Sequence, residues 1–172
     1  LNYIPFLSGY YAEMLDVLKT SLGSIWSNSD LPYDLMIFDN GSCEEVKTYL
    51  NEQFNLGKIQ YLIFSDKNLG KGGAWNIILN GAPGEIIVYT DDYCFADTDW
   101  LYYLVAKLLE TGASGVGGPN LLPTNDGPVA ACVSASPGTP AHILVDDNVA
   151  EHVPGCNMAF WTERLRALGG FD

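Results

Sequence analysis

The sequence has few basic residues, since 8 Lys and Arg stand against 21 Asp and Glu and leave a formal charge of −13 over 172 residues. With so few positive charges, the protein lacks the basic residues that bind a phosphate backbone or an anionic membrane surface. We therefore expect no nucleic-acid partner. Apolar runs are also short: the stretch at 86–88 falls far below the ~20 residues that cross a bilayer. We expect a soluble chain with no membrane segment.

Cysteine is scarce and scattered. The four thiols stand at Cys43, Cys94, Cys132 and Cys156, and no two of them have the C-x-x-C spacing of a zinc site. Four reduced thiols in an intracellular protein are the simplest interpretation, and they favour a cytoplasmic location.

Hydrophobic residues make up 48% of the chain and aromatic residues 12%, which is enough to bury a full core. One compact domain over residues 1–172 is expected.

Two periods of apolar residues alternate over residues 1–112. Steps of three and four predict helices, whereas short continuous apolar runs predict buried strands. The predicted strands are Leu35–Phe38, Gln60–Phe64 and Glu85–Tyr89. Helices are predicted from Ser8 to about Trp26, from Ala74 to Leu79, and from an Asp99 cap to a stop at Gly112. One more helix is predicted to begin at a capping box formed by Ser42 and Glu45. Its buried face would consist of Val46, Tyr49, Leu50 and Phe54. This order predicts the α/β class, with a mainly parallel open sheet and helices on both faces.

Residues 113–160 are rich in glycine and proline and contain only short β-prone pieces, Val129–Val133 and Ile143–Val145. We expect antiparallel strands and loops there, over one end of the sheet, before a last helix from Thr162 to Leu168 that Gly169 closes. An alternating sheet that begins with a helix lacks a first strand. We therefore expect a fragment of a longer protein, cut at both ends.

Polar clusters follow each of the three predicted strands, at residues 39–42, 66–73 and 90–92. Ligands of open parallel sheets bind outside the carboxyl ends of the strands. Taken singly, 39–42 is typical of a turn and a helix cap, and 70–73 lacks the full spacing of a phosphate-binding or dinucleotide loop. Their joint position favours a ligand site. Asp91 and Asp92 offer oxygen ligands that suit Mg²⁺ or Mn²⁺, which complete their coordination with water and phosphate.

Four segments from Leu35 to Asp172, LMIFDNGS, NLGKGGAWN, IIVYTDD and PGCNMAFWTERLRALGGFD, together resemble the inverting family two glycosyltransferases of the GT-A fold. The resemblance implies a Rossmann-like domain in which residues 1–112 bind the nucleotide and residues 113–172 form the acceptor side. It also implies a nucleotide diphosphate sugar as donor, a saccharide or other hydroxyl acceptor, and Mg²⁺ or Mn²⁺ as cofactor.

The resemblance assigns donor-side roles to four residues. Asp39 matches the carboxylate that hydrogen-bonds the base of the nucleotide sugar. Asn68 and Gly70 fall in the loop beside the nucleotide, where Lys71 adds a cation near the base or the phosphates.

The D-x-D region of the family matches Asp91 and Asp92, which would contact the ribose and bind the metal that bridges the diphosphate. The third position of the motif is Tyr93, so the metal role passes to Asp92. In this family the general base commonly lies several residues after the Gly-Gly-Phe-Asp segment. Asp172 is therefore predicted only to lie near the acceptor and to help orient it.

Other aromatic and imidazole side chains are weaker candidates. Trp75 and Trp100 lie in helical apolar patterns that predict core packing, and Trp161 is the best candidate to stack on an acceptor sugar. His142 and His152 are expected in surface or acceptor loops. Two alternatives remain open: a nucleotide-sugar-binding module without turnover, and a nucleotidyltransferase of related fold.

Overall fold

Helices and strands alternate along the first two thirds of the chain, as the apolar periods predict. The structure, a computed structural model, describes residues 8–29, 31–121, 127, 128, 132, 149, 150 and 153–172. The helices are α1 (Ser8–Asn28), α2 (Glu44–Asn55), α3 (Gly70–Gly81), α4 (Trp100–Thr111) and α5 (Thr162–Ala167). The strands are β1 (Met36–Asp39), β2 (Tyr61–Phe64), β3 (Ile86–Thr90), β4 (Gly115–Gly117) and β5 (Asn157–Trp161).

The strands form one parallel pair and one antiparallel sheet. β1 pairs in parallel with β2, from Met36 opposite Tyr61 to Asp39 opposite Phe64. β5 lies between β3 and β4 and is antiparallel to both. The α/β class with a parallel sheet is confirmed, and so are antiparallel strands after residue 113. A groove of about 740 Å³ lies between β1 and β3, and its walls include Leu35, Met36 and the apolar side chains of β3.

The buried side chains form two apolar clusters. The first joins α1 to α2 and consists of Leu18, Leu22, Ile25, Val46, Leu50 and Ile59. The second joins α3 to β3, β5 and α5 and consists of Leu79, Ile87, Tyr89, Met158 and Leu165. The loops that follow β1 and β3 leave from these two cores, so their positions are fixed by packing.

The start of α2 differs from the prediction. Cys43, not Ser42, is the N-cap, and no side chain caps the helix, so the predicted capping box was wrong. The Ser42 backbone N–H donates instead to the carboxylate of Asp39. The predicted buried face was also wrong at Phe54, which is 43% exposed, whereas Gln53 is buried. Val46, Leu50 and position 53 follow steps of four and three, which place 53 on the buried stripe.

Helix α3 begins at Gly70, four residues before the predicted start, and ends at Gly81 rather than Leu79. Its first-turn glycines therefore belong to the helix and are not a turn that precedes it. One of them is required by a close approach, because a Cβ on Gly72 would lie 2.6 Å from the carbonyl oxygen of Asp172.

Most remaining elements match their predictions within two residues. Asp99 is the N-cap of α4 as predicted, but its side chain makes no capping bond. Gly112 closes α4 in the left-handed conformation, with φ 63°. The predicted strand Ile143–Val145 lies outside the described residues. Of Val129–Val133 only Cys132 is described, and its backbone is helical.

Candidate functional site

Asn40 joins the loops that follow β1 and β2. Its side chain is only 2% exposed. The amide nitrogen donates to Asn68 Oδ1 (3.0 Å) and to Gly70 O (3.3 Å), and Oδ1 accepts from the Leu69 N–H (2.7 Å). Because these bonds fix the residues at which α3 begins, Asn40 positions the helix N-terminus. Sequence reasoning treated this asparagine as part of a turn and missed its role.

Asp39 is buried at the end of β1, next to Asn40. Its side chain is fully buried, and both carboxylate oxygens accept from the Ser42 N–H at 3.3 Å. Gly41 lets the two loops touch, since its φ is +89° and a Cβ there would lie 3.1 Å from the Lys67 carbonyl carbon. The carboxylate thus faces its own turn, and its predicted contact with a nucleotide base stays a prediction.

Lys71 connects α3 to the loop after β3. Its ammonium lies 2.8 Å from Asp91 Oδ2 and 4.8 Å from the centre of the Trp75 ring. The Tyr93 hydroxyl donates to the same carboxylate oxygen at 2.9 Å. Burial and this hydrogen bond raise the pKa of Tyr93, so the phenol remains protonated and acts as the donor. Lys71 is 40% exposed and Asp91 only 11%, so the lysine also reaches solvent.

Asp92 makes no ion pair with a Lys or Arg side chain in the part of the chain that the structure describes. Burial raises the pKa of the Asp92 carboxyl above its ordinary value of 3.8, and the charge of Asp91 adds to the shift. Among the residues described here, no three His, Cys, Asp or Glu side chains form a metal-binding group. The carboxylates fit a divalent ion as a minimal protein donor set, because Mg²⁺ usually takes one or two carboxylates and completes its octahedron with water and phosphate. Asp91 is already paired with Lys71, so Asp92 is the better ligand.

A cavity of about 150 Å³ brings the three polar clusters together. Its walls include Asn40, Lys71, Trp75, Asp91 and Asp92. The convergence that the strand ends predict is therefore present. The assigned roles of Asp39, Asn68, Gly70, Lys71, Asp91, Asp92 and Asp172 stay predictions.

The Gly-Gly-Phe-Asp segment docks on α3 beside this cavity. The ring of Phe171 lies 4.8 Å from Trp75 and 5.4 Å from Tyr89, centroid to centroid. The Asn76 side chain bonds the backbone of Phe171, and the backbone of Asp172 lies against Gly72. The backbone of Asp172 thus lies beside the first turn of α3. Sequence reasoning missed Asn76, because nothing in its neighbourhood along the chain reveals a partner 95 residues away.

Trp161 lies at the end of β5 that is remote from this cavity, and its stacking on an acceptor sugar stays a prediction. It pairs with Ile86, whereas Asn157 pairs with Thr90 next to the site. The two ends are four strand steps apart, or about 14 Å at ~3.4 Å per step. Trp100 packs against the first core cluster as predicted. His142 and His152 lie outside the described residues.

In the part of the chain that is described, every helix is too short or too polar to span a bilayer. The model of the family "Glycosyl transferase family 2" matches residues 9–164. No curated protein matches the chain at a significant level.

Solved structures share the fold. The mannosyltransferase PcManGT from Pyrobaculum calidifontis, in complex with GDP-Man and Mn²⁺, is 22% identical with a TM-score of 0.68, over 92% of this chain and 44% of that one. Residues 1–349 of S. aureus TarS are 15% identical with a TM-score of 0.68, over 92% of this chain and 47% of that one. TarS in complex with UDP-GlcNAc is 15% identical with a TM-score of 0.67, over 90% of this chain and 44% of that one. The chain spans less than half the length of these structures.

Proposed function

The chain belongs to glycosyltransferase family 2, and from this premise we propose that it transfers a hexose from a nucleoside diphosphate sugar to a hydroxyl acceptor, with inversion and with Mg²⁺ or Mn²⁺. One domain over residues 1–172 would carry the donor site in 1–112 and the acceptor side in 113–172. The observation that carries the proposal is the Lys71–Asp91 pair, 2.8 Å apart, on the wall of a cavity that also contains Asn40 and Asp92.

The donor side is suited to a diphosphate. Lys71 is partly exposed and stands in the first turn of α3, where free backbone N–H groups and the helix dipole favour anions. A phosphate oxygen can take the place of Asp91 on the ammonium. Asp91 would then be free to accept from a ribose hydroxyl. Asn68 and Gly70 would hold the loop beside the nucleotide, and Asp39 would set the floor beneath its base.

The metal role falls to Asp92, with Asp91 beside it. A bound divalent ion would neutralise charge on the leaving diphosphate. Two similar structures support a nucleotide-sugar donor, since one is in complex with GDP-Man and the other with UDP-GlcNAc. The complex with GDP-Man also contains Mn²⁺, which supports the divalent ion.

The acceptor side would be formed around the docked C-terminal segment. Asp172 lies against Gly72, one residue from Lys71, and would orient the acceptor hydroxyl. Inversion needs a general base within hydrogen-bond reach of that hydroxyl, on the side opposite the leaving group. The net charge of −13 supports a reaction without nucleic acid. The four scattered cysteines, interpreted as reduced thiols, support our placement of the reaction in the cytoplasm.

Calorimetric titration with UDP and with GDP, each with and without Mn²⁺, tests the donor site. We expect Mn²⁺-dependent binding that is lost in Asp92→Ala and retained in Asp34→Ala, a control at an exposed carboxylate before β1. Absence of binding by the wild-type chain would contradict the donor-site assignment.

Turnover is tested separately by release of free UDP or GDP from a panel of nucleotide sugars. Metal-dependent release supports a transferase. Binding without release would support the alternative of a nucleotide-sugar-binding module, and it would contradict catalysis by this chain.

A further inference from the structure

Two thiols meet beside the candidate donor site. The thiols of Cys94 and Cys156 lie near enough to each other to interact. The Asn120 amide donates to the Cys156 sulfur, with Nδ2 2.8 Å from Sγ. Both cysteines are half-buried and neither forms a disulfide. They are 62 residues apart in the chain, so the contact is a product of the fold.

Backbone geometry independently brings the two cysteines to the same end of the sheet. β3 and β5 pair antiparallel, with Thr90 opposite Asn157, so Asp91 and Cys156 leave the sheet at the same end. A turn then carries Cys94 back over Asp91, because the Cys94 N–H donates to the Asp91 carbonyl at 3.2 Å. The hydroxyl of Ser21 donates to the Cys94 carbonyl at 2.6 Å and holds the turn against α1.

We propose that Cys94 and Cys156 form an oxidation site, which peroxide converts to a disulfide, and that this disulfide weakens binding at the donor site. The amide hydrogen bond from Asn120 stabilises negative charge on the Cys156 sulfur, so Cys156 is assigned as the attacking sulfur. The second half of the proposal rests on the proposed function.

The chemistry balances with hydrogen peroxide as the two-electron oxidant. The Cys156 sulfur attacks one peroxide oxygen, the O–O bond breaks, and a sulfenic acid and one water result. The Cys94 sulfur then attacks the sulfenic sulfur, the S–O bond breaks, and the hydroxide leaves with the Cys94 proton as a second water. The two thiols are oxidised and one peroxide is reduced to two waters.

The disulfide would act on the site through the turn after β3. An S–S bond is about 2.05 Å long, shorter than any hydrogen-bonded contact between two sulfurs. Its formation therefore draws Cys94 towards β5. Asp91 begins the same turn and is tied to Cys94 through its carbonyl, so its carboxylate shifts relative to Lys71.

Peptide mapping under non-reducing conditions tests the oxidation site. After treatment of the folded chain with hydrogen peroxide, we expect one Cys94–Cys156 linkage, with loss of two hydrogen atoms and full reversal by dithiothreitol. Cys94→Ser and Cys156→Ser should abolish the linkage, whereas Cys43→Ser should retain it, since Cys43 packs against the other core cluster. Folded wild-type chain that forms no Cys94–Cys156 linkage, or that links these cysteines equally with Cys43, would overturn the proposal.

Calorimetry on the reduced and oxidised wild-type chain tests the coupling. We expect the Kd for the nucleoside diphosphate to rise on oxidation by a factor within the range of about 5 to 150 that is typical of coupled sites. Equal Kd values in both forms would overturn the coupling. If even the reduced chain binds neither UDP nor GDP, the proposed function fails, while peptide mapping still decides the oxidation site.

Discussion

Asn76 holds Phe171 by both polar atoms of its backbone. The side-chain nitrogen donates to Phe171 O at 2.7 Å, and Oδ1 accepts from Phe171 N at 2.9 Å. This pair of bonds mimics the contact of a neighbouring strand. A Cβ on Gly170, whose φ is +85°, would collide with the same amide oxygen. One helix side chain therefore fixes the C-terminal segment beside the cavity.

Replacement of Asn76 by alanine should lower the free energy of unfolding by about 1–3 kcal/mol, since it leaves a partly buried N–H and C=O without partners. Urea unfolding measures the change. Asn51→Ala is the matched control, because that amide bonds only the Lys47 carbonyl on an exposed helix face and should cost less than ~0.5 kcal/mol. An equal loss of stability in both variants would contradict the proposal that Asn76 holds the backbone of Phe171.

Asn40→Asp should destabilise the fold and impair nucleotide binding together. The substitution removes the donor to Asn68 and Gly70 and places a second carboxylate beside the buried Asp39. A loss of at least ~2 kcal/mol is expected in urea unfolding. The same substitution at the exposed Asn80 is the control and should change stability little. A stable Asn40→Asp variant that binds UDP or GDP normally would contradict this account.

Lys71→Met should raise the Kd for UDP or GDP about tenfold or more, because a charge-assisted hydrogen bond to phosphate contributes ~1.5–3 kcal/mol. Stability should change little, as the lysine is 40% exposed and partly exposed ion pairs contribute at most ~1 kcal/mol. Calorimetry and thermal unfolding separate the two effects. Lys67→Met, an exposed lysine of the preceding loop, is the control. An equal loss of affinity there would indicate general electrostatics instead of a specific contact.

Asp92→Asn should stabilise the nucleotide-free chain at neutral pH and abolish metal dependence. Since burial raises the pKa of Asp92, the folded chain binds its proton more tightly than the unfolded chain. Wild-type stability should therefore fall as pH rises from the ordinary value of 3.8 through the raised pKa. The advantage of the variant should be largest above that pKa and shrink below it. Thermal unfolding of both chains without metal, from about pH 4 to 8 in steps of about one pH unit, measures the difference in their stability. A difference in stability that does not change with pH would contradict a raised pKa of Asp92.

Arg166 closes the C-terminal end of α3. Its guanidinium donates to the Leu79 carbonyl at 2.8 and 3.1 Å and to the Ala82 carbonyl at 2.7 Å. Arg166→Lys should cost about 1–3 kcal/mol in urea unfolding, because an ammonium cannot reproduce this fork. Glu163→Gln removes only the exposed ion-pair partner of Arg166 and should cost less than ~1 kcal/mol. Equal costs for the two substitutions would contradict the expected contribution of the helix cap.

The elements that were predicted best are those with local signals. The extent of α1 and the stop of α4 at Gly112 depend on neighbours within one or two turns. Predictions failed where a distant partner decides the local backbone. The start of α3 was placed four residues late because its first turn is fixed by Asn40, some 30 residues upstream. The Ser42 capping box failed because Asp39 takes the Ser42 N–H.

The sequence by itself determined the order of elements, the α/β class and the three polar clusters at the strand ends, since apolar periodicity and turn residues act over a few positions. Only the tertiary structure decided which polar groups meet. It directs the Asp39 carboxylate inward, pairs Lys71 with Asp91 across 20 residues and brings Asn76 to Phe171 across 95. Such contacts depend on the packing of whole helices and strands, and the spacing of residues along the chain carries no information about them.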